Sequence, residues 1–310
     1  MSKLLTVFGA TGNQGGSVIR AVLADSILSK EFSIRAITRD IAKPAAQALV
    51  TKGVNIQVAD LSSKDSVAKA IEGSHTVFLV TTPDFMSGGP SQEFNHGKNV
   101  ADAAEGAGIQ HLIFSSLLHV TDETSGRLKH VLHFDMKANV ERYIRSKNIP
   151  STFILPGYFM TNFTALQMLK KGEDGVFSLA YPVSNRAKFP LVDISSDIGK
   201  YAVAAMRNRS EVLGKQVLAA ADYYTPDQIL SEFEEVTGNK TRYMQLDPET
   251  YKGFLPEAMA DEMLENHLFI EDPGYYAGRS LQESLDLLSK VNLKPVSWRE
   301  FLVKNAHLLN

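Results

Sequence analysis

Residues 6–20 read TVFGATGNQGGSVIR. An apolar run stops at Gly9, glycine returns at Gly12 and Gly15, and an amphipathic stretch follows. The spacing is GxxGxxG rather than GxGxxG, and alone it says little. Its setting says more. Glycine after a strand allows a tight bend and a close approach of backbone to ligand. The helix that follows offers unpaired N–H groups and a partial positive charge, which suit a pyrophosphate. The stretch predicts the phosphate turn of a dinucleotide-binding βαβ unit. Two other readings use the same residues: a plain strand–helix turn with packing glycines, and the glycine loop of an S-adenosylmethionine enzyme.

Outward from that turn, strands are predicted at 4–8, 32–39, 54–60, 75–83, 109–117 and 151–159. Helical patterns lie between them, the longest over 126–148. Strands alternating with helices at this spacing predict an α/β fold, a Rossmann-type doubly wound parallel sheet. After about residue 160 the rhythm changes. Helical patterns dominate, one with Asp193 near its N-cap and one with Thr225 as cap before Pro226. The expected division is a Rossmann domain over 1–155, rejoined by about 188–220, and a smaller helix-rich C-terminal domain over 156–310 that covers the carboxyl edge of the sheet.

The second strand ends in AITRD. An acid there would bind a ribose 2′-hydroxyl, whereas an arginine suits a 2′-phosphate. Arg39 comes first, with Lys43 a turn later, so NADP(H) is preferred over NAD(H). Asp40 is then expected to cap the next helix. The lack of a matching acid also counts against the methyltransferase-like reading. Asp60, beside Leu61 at the end of the third strand, is placed either to meet an adenine amino group or to cap a helix.

In the long helix, His133, Lys137, Val140 and Ile144 fall on one line, with Asp135, Asn139 and Arg142 on a polar side. A buried ammonium needs a partner. Lys137 therefore either snorkels outward or lines the cofactor crevice. His130 and His133 could share a metal, but no third ligand is suggested and none is expected.

The 310-residue chain is 44% hydrophobic and 22% charged, with formal net charge −3. It lacks the basic footprint of a nucleic-acid reader, so any role in gene control would run through a protein partner. It has no cysteine, which excludes disulfides and thiol chemistry. No apolar stretch approaches the ~20 residues of a membrane span. A cytoplasmic protein is expected, with the nucleus open to a regulator.

At this point the residues resemble a family. VFGATGNQGGSV, ITRD, HLIFSSL, GRLKHVLHFDMKANVERYI and LPGYFMTNF together are similar to the NmrA-like proteins, a branch of the atypical short-chain dehydrogenase/reductases, and look closest to the redox-sensor type. The resemblance implies NADP(H) as cofactor. It places Gly9, Thr11, Gly12, Asn13, Gln14 and Gly15 in the phosphate loop and Arg39 and Lys43 on the 2′-phosphate. Thr81 and Thr82 fall at the fourth-strand edge under the cofactor. Lys137 falls on the nicotinamide ribose, and Pro156, Gly157, Tyr158 and Phe159 beside the nicotinamide. Two departures stand out. The proton-donating tyrosine of Tyr-x-x-x-Lys is His133 here, and Leu117 stands where the partner serine belongs, with Ser115 and Ser116 nearby.

Two functions follow. One is an NADP(H) sensor or regulator that meets a protein partner, favoured by the missing tyrosine and serine. The other is an NADPH-dependent oxidoreductase for a small apolar carbonyl, enone or quinone, with Lys137 and His133 as candidate catalytic residues. Residues 81–92, rich in glycine and proline, could form a lid in either case. A homodimer stays open.

Overall fold

The computed structural model describes residues 2–83 and 89–305. Part of the expected lid, residues 84–88, lies outside them.

The central sheet grows from the predicted alternation. β1 (Lys3–Val7), β2 (Phe32–Thr38), β3 (Asn55–Val58), β4 (Thr76–Leu79), β5 (His111–Ser115) and β6 (Ser151–Pro156) are the six expected strands. A seventh arrives from the second half of the chain, β11 (Gln216–Ala219). The order is β3-β2-β1-β4-β5-β6-β11, and every pairing is parallel. Such a sheet is buried on both faces, which explains its uninterrupted apolar runs. In VFL of β4, Val77 and Leu79 enter one core while Phe78 enters the other. Leu112, Phe114 and Ile113 of β5 divide in the same way.

Flanking helices are α1 (Asn13–Ala24), α2 (Pro44–Val50), α3 (Lys64–Ile71), α4 (Gly89–Gly106) and α5 (Leu132–Arg145). α6 (Asp197–Arg207) packs on α1. The approach is so close that a Cβ at Gly199 would overlap the Ser17 carbonyl, and the Gly199 amide donates to Ser17 Oγ at 2.9 Å.

The second half is helix-rich, as expected, and adds two small sheets. β7 (Tyr158–Phe159), β10 (Phe189–Val192) and β12 (Asp222–Tyr224) form one small sheet. β8 (Leu169–Lys171), β9 (Phe177–Tyr181) and β13 (Thr241–Gln245) form another. Around them lie α7 (Pro226–Thr237), α8 (Glu257–Phe269), α9 (Gln282–Ser289) and α10 (Trp298–Asn305). Thr225 caps α7 in a full capping box with Gln228.

Three local expectations need correction. The long helix starts at Leu132, not at residue 126, because Ser125 and Gly126 take positive φ and the Gly126 amide closes back on Thr121 O. The sixth strand ends at Pro156. Gly157 then passes so near Pro190 O that a Cβ would overlap it, and Tyr158–Phe159 leave to pair with β10. Asp40 does not cap α2: its carboxylate accepts from the Ala42 amide at 2.9 Å, and Lys43 holds the cap position before Pro44. As expected, Asp193 lies near the N-terminus of α6, whose cap position is Ser196. Asp193 accepts from the Ser195 and Ser196 amides ahead of it.

Candidate functional site

β1, β2, β4 and β6 run parallel, so their carboxyl ends lie along one edge of the sheet, and β1 leads into the glycine turn. Gly9 has φ +65°, and a Cβ there would sit 2.6 Å from Val80 Cγ1. The Gly12 amide donates back to Gly9 O at 2.9 Å. A Cβ at Gly15 would overlap the backbone of Gly9 and Ala10, so the helix lies directly on the turn. α1 has no side-chain cap and no acid in its first turn, and its first amide bond runs from Gly16 to Gly12 O. The amides of Asn13, Gln14 and Gly15 therefore end α1 without backbone partners among the described residues, which suits an anion. Thr11 and Asn13 are exposed at the same rim, where Ser195 Oγ lies 3.4 Å from Asn13 Oδ1. Gln14 Oε1 is buried and unbonded among the described residues.

Arg39 and Lys43 are exposed beyond β2, and neither side chain makes a hydrogen bond or ion pair among the described residues, while the Lys43 carbonyl accepts from the Ala46 and Gln47 amides. At the end of β3, Asp60 accepts from the Ser62 amide at 2.9 Å. This turn bond is the main reason its pKa lies below the usual carboxylate range. Ser63, not Asp60, caps α3. Leu61 O is taken by Asn99 Nδ2 at 2.9 Å.

Lys137 is 7% exposed and does not snorkel. Its Nζ donates to Thr81 O (2.7 Å), Thr81 Oγ1 (3.1 Å) and Glu93 Oε1 (2.6 Å). All three ammonium hydrogens are thus placed. Thr81 Oγ1 in turn donates to Glu93 Oε1 at 2.6 Å, which closes a ring of three side chains. Thr82, next in the chain, is exposed. Glu93, 1% exposed on α4, was missed from the sequence because nothing in SQEFNHGKN marks it as buried.

His133 lies one turn before Lys137. Its amide and its Nδ1 both meet Glu262 Oε1, at 2.8 and 2.6 Å. His130 repeats the pattern with Glu265 at 2.6 Å, so the two imidazoles engage separate carboxylates. Glu262 was also missed: it is one of four acids in PEAMADEMLENH, 256–267.

Pro156 O accepts from the Tyr275 hydroxyl at 3.0 Å. The Tyr158 ring packs on Phe163 and Phe189, and its hydroxyl meets Tyr181 at 2.8 Å, so the side chain belongs to the aromatic core and burial raises its pKa. Phe159 is half-buried. Ser115 and Ser116 are buried, and Leu117 packs in the core.

Residues 1–302 match the model of the NmrA-like family. The chain belongs to that family. An NmrA-like family domain-containing oxidoreductase of Penicillium ochrochloron is 32% identical over 94% of this chain and 90% of its own. One from Aspergillus hancockii is 30% identical over 89% and 85%. Among solved structures, NmrA, a negative transcriptional regulator in complex with NADP, superposes with TM-score 0.80 at 23% identity, covering 98% of this chain and 95% of its own. The Citrobacter sp. triphenylmethane reductase complexed with NADP(H) gives 0.77 at 23%, over 97% and 99%. The fold of this NmrA-like chain is thus shared by a regulator and a reductase.

Proposed function

We propose that this NmrA-like protein is an NADP(H)-dependent oxidoreductase acting on a small apolar carbonyl, enone or quinone. The observation that carries the reading is a proton-bearing pair in place of the absent tyrosine: His133, held by Glu262, one turn from a buried and fully hydrogen-bonded Lys137. The oxidoreductase names of relatives at 30–32% identity support it.

The residues fit the cofactor. Gly9 and Gly15 keep clear a turn that any Cβ would fill, and the uncapped α1 suits the pyrophosphate. Arg39 and Lys43 suit the 2′-phosphate. When bound, NADPH would supply the hydride. His133 would then give the proton to the acceptor oxygen, while Lys137, Thr81 and Glu93 fix the floor under the nicotinamide ribose. On this reading residues 1–155 with about 188–220 form the cofactor domain, which the pairing of β11 with β6 and the packing of α6 on α1 support. No described helix is long and apolar enough to cross a membrane.

A second reading, an NADP(H)-responsive regulator with a protein partner, is favoured by the lost tyrosine and serine positions and by the NmrA regulator among its structural neighbours. Incubation of purified protein with NADPH and a panel of quinones, aldehydes and enones separates the two. The oxidoreductase consumes NADPH only when an acceptor is present. A protein that binds NADPH and consumes none is the regulator.

A further inference from the structure

We propose that Glu262 is the positioning residue of this site: from α8 it selects the tautomer of His133 and aims the ring's opposite nitrogen as the proton-donating edge. The inference rests on the oxidoreductase reading and deepens it.

The geometry is specific. One oxygen, Glu262 Oε1, receives both the His133 backbone amide at 2.8 Å and the imidazole Nδ1 at 2.6 Å. The amide belongs to the first turn of α5, whose cap position, Val131, supplies no side-chain bond. A carboxylate there also meets the positive end of the helix. The contact thus fixes the backbone and the ring together, and a rotation of the imidazole breaks the second bond without loosening the first. Glu262 is 8% exposed, so little water competes for its oxygens. In neutral imidazole one nitrogen carries the proton and the other accepts. A carboxylate at Nδ1 requires the proton there. When His133 starts as imidazolium, the proton on Nε2 is then the one to leave. Hydride from NADPH goes to the acceptor carbon, that proton goes to the acceptor oxygen, and His133 is left neutral with Nδ1–H still on Glu262. Solvent then restores the proton.

A clasp between two segments of chain would give the same contacts without this role, and the structure contains its control. Glu265, one turn further along α8, holds the amides of Lys129 and His130 at 2.6 Å each and the His130 ring at 2.6 Å. That imidazole is 59% exposed and is not on the line of Lys137. A clasp treats Glu262 and Glu265 alike, whereas a positioning role does not.

The test uses the full chain with Glu262→Leu, Glu262→Gln and Glu265→Gln. Nitrogen-15 spectra of labelled histidine report the His133 tautomer with the ring neutral, and kinetics with NADPH report kcat beside the NADPH dissociation constant. The expected result is Nδ1–H in the wild type and in Glu265→Gln, and a shift toward Nε2–H in Glu262→Leu. In that variant kcat falls at least about tenfold, since a misaligned acid loses part of its usual contribution, while NADPH affinity holds. Glu262→Gln keeps an acceptor for both N–H groups, so it preserves the α5 terminus and recovers part of the rate. An unchanged tautomer in Glu262→Leu overturns the proposal, as do equal losses in the Glu262→Gln and Glu265→Gln variants. A wild type that consumes no NADPH overturns the oxidoreductase reading instead, and the tautomer spectra still decide whether Glu262 orients the ring.

Discussion

Lys137 Nζ lies 2.6 Å from Glu93 Oε1, and both side chains are almost wholly withdrawn from solvent. A buried pair of this kind gains little over a well-packed apolar pair, but each member depends on the other. Glu93→Ala should therefore lower unfolding free energy by about 3–5 kcal/mol, because it strands the ammonium. The double change Glu93→Leu with Lys137→Met should recover most of that loss. Urea unfolding of the two variants and the wild type checks this, and a Glu93→Ala protein as stable as the wild type refutes the coupling.

Arg39 sets cofactor choice on this account. Its guanidinium is exposed at the end of β2, makes no hydrogen bond among the described residues, and helps by its charge to lower the pKa of Asp60. A charge-assisted contact to a 2′-phosphate contributes about 1.5–3 kcal/mol, or roughly tenfold to a hundredfold in affinity. Arg39→Ala should lose that factor for NADPH and almost nothing for NADH. Fluorescence titration with both nucleotides reads the difference. Equal affinities in the wild type would remove the assignment.

How far was this legible in the sequence? The parallel sheet was, because strands buried on both faces leave uninterrupted apolar runs such as LIF in β5. The glycine turn was, because Gly9 and Gly15 leave space that no side chain could share. What escaped was tertiary. Glu93 and Glu262 look like any surface acid in their helices, and only the folded chain brings them to Lys137 and His133. Tyr158 reads as a site residue in PGYF, yet its ring turns into the aromatic core because Gly157 sends the chain to β10. The start of α5 was misplaced because Ser125 and Gly126 turn the chain ahead of it with positive φ, and one amide of its first turn is met by Glu262 of α8, more than a hundred residues away.

Gly15→Ala tests the turn itself. The new methyl would meet backbone atoms of Gly9 and Ala10, which cannot move without shifting α1 from β1. NADPH binding should be lost and the melting temperature should fall. Gly106→Ala, in α4 with open space around its Cα, is the contrast. It should be neutral or stabilising by up to about 1 kcal/mol. Similar behaviour of the two variants in thermal melts would contradict the close packing inferred for the turn.

Asp197 gives a pH signature. It is fully buried, and burial pushes its pKa up to about 6 although Lys200 Nζ lies 2.8 Å away. Between about pH 4 and pH 6 the native state keeps a proton that the unfolded chain releases, so this group subtracts stability as pH rises, by about 3 kcal/mol. Two histidines act in the opposite sense. Burial holds His111 down to about 3 and His267 down to about 4, so stability is lost as pH falls below their ordinary value of 6.5. The difference between Asp197→Asn and wild type isolates the aspartate: the variant should gain on the wild type as pH rises from about 4 to about 7. A constant difference across that range would show that Asp197 does not titrate there.

The central claim is hydride transfer, and it has a direct test. NADPH deuterated at the transferring position of nicotinamide C4 is mixed with the protein and each acceptor of the quinone, aldehyde and enone panel, and the products are examined by mass spectrometry. The account predicts deuterium in at least one reduced product, with a rate lowered by about 10²–10⁴-fold in His133→Phe while NADPH still binds. NADPH that is bound but transfers no deuterium to any acceptor would contradict it.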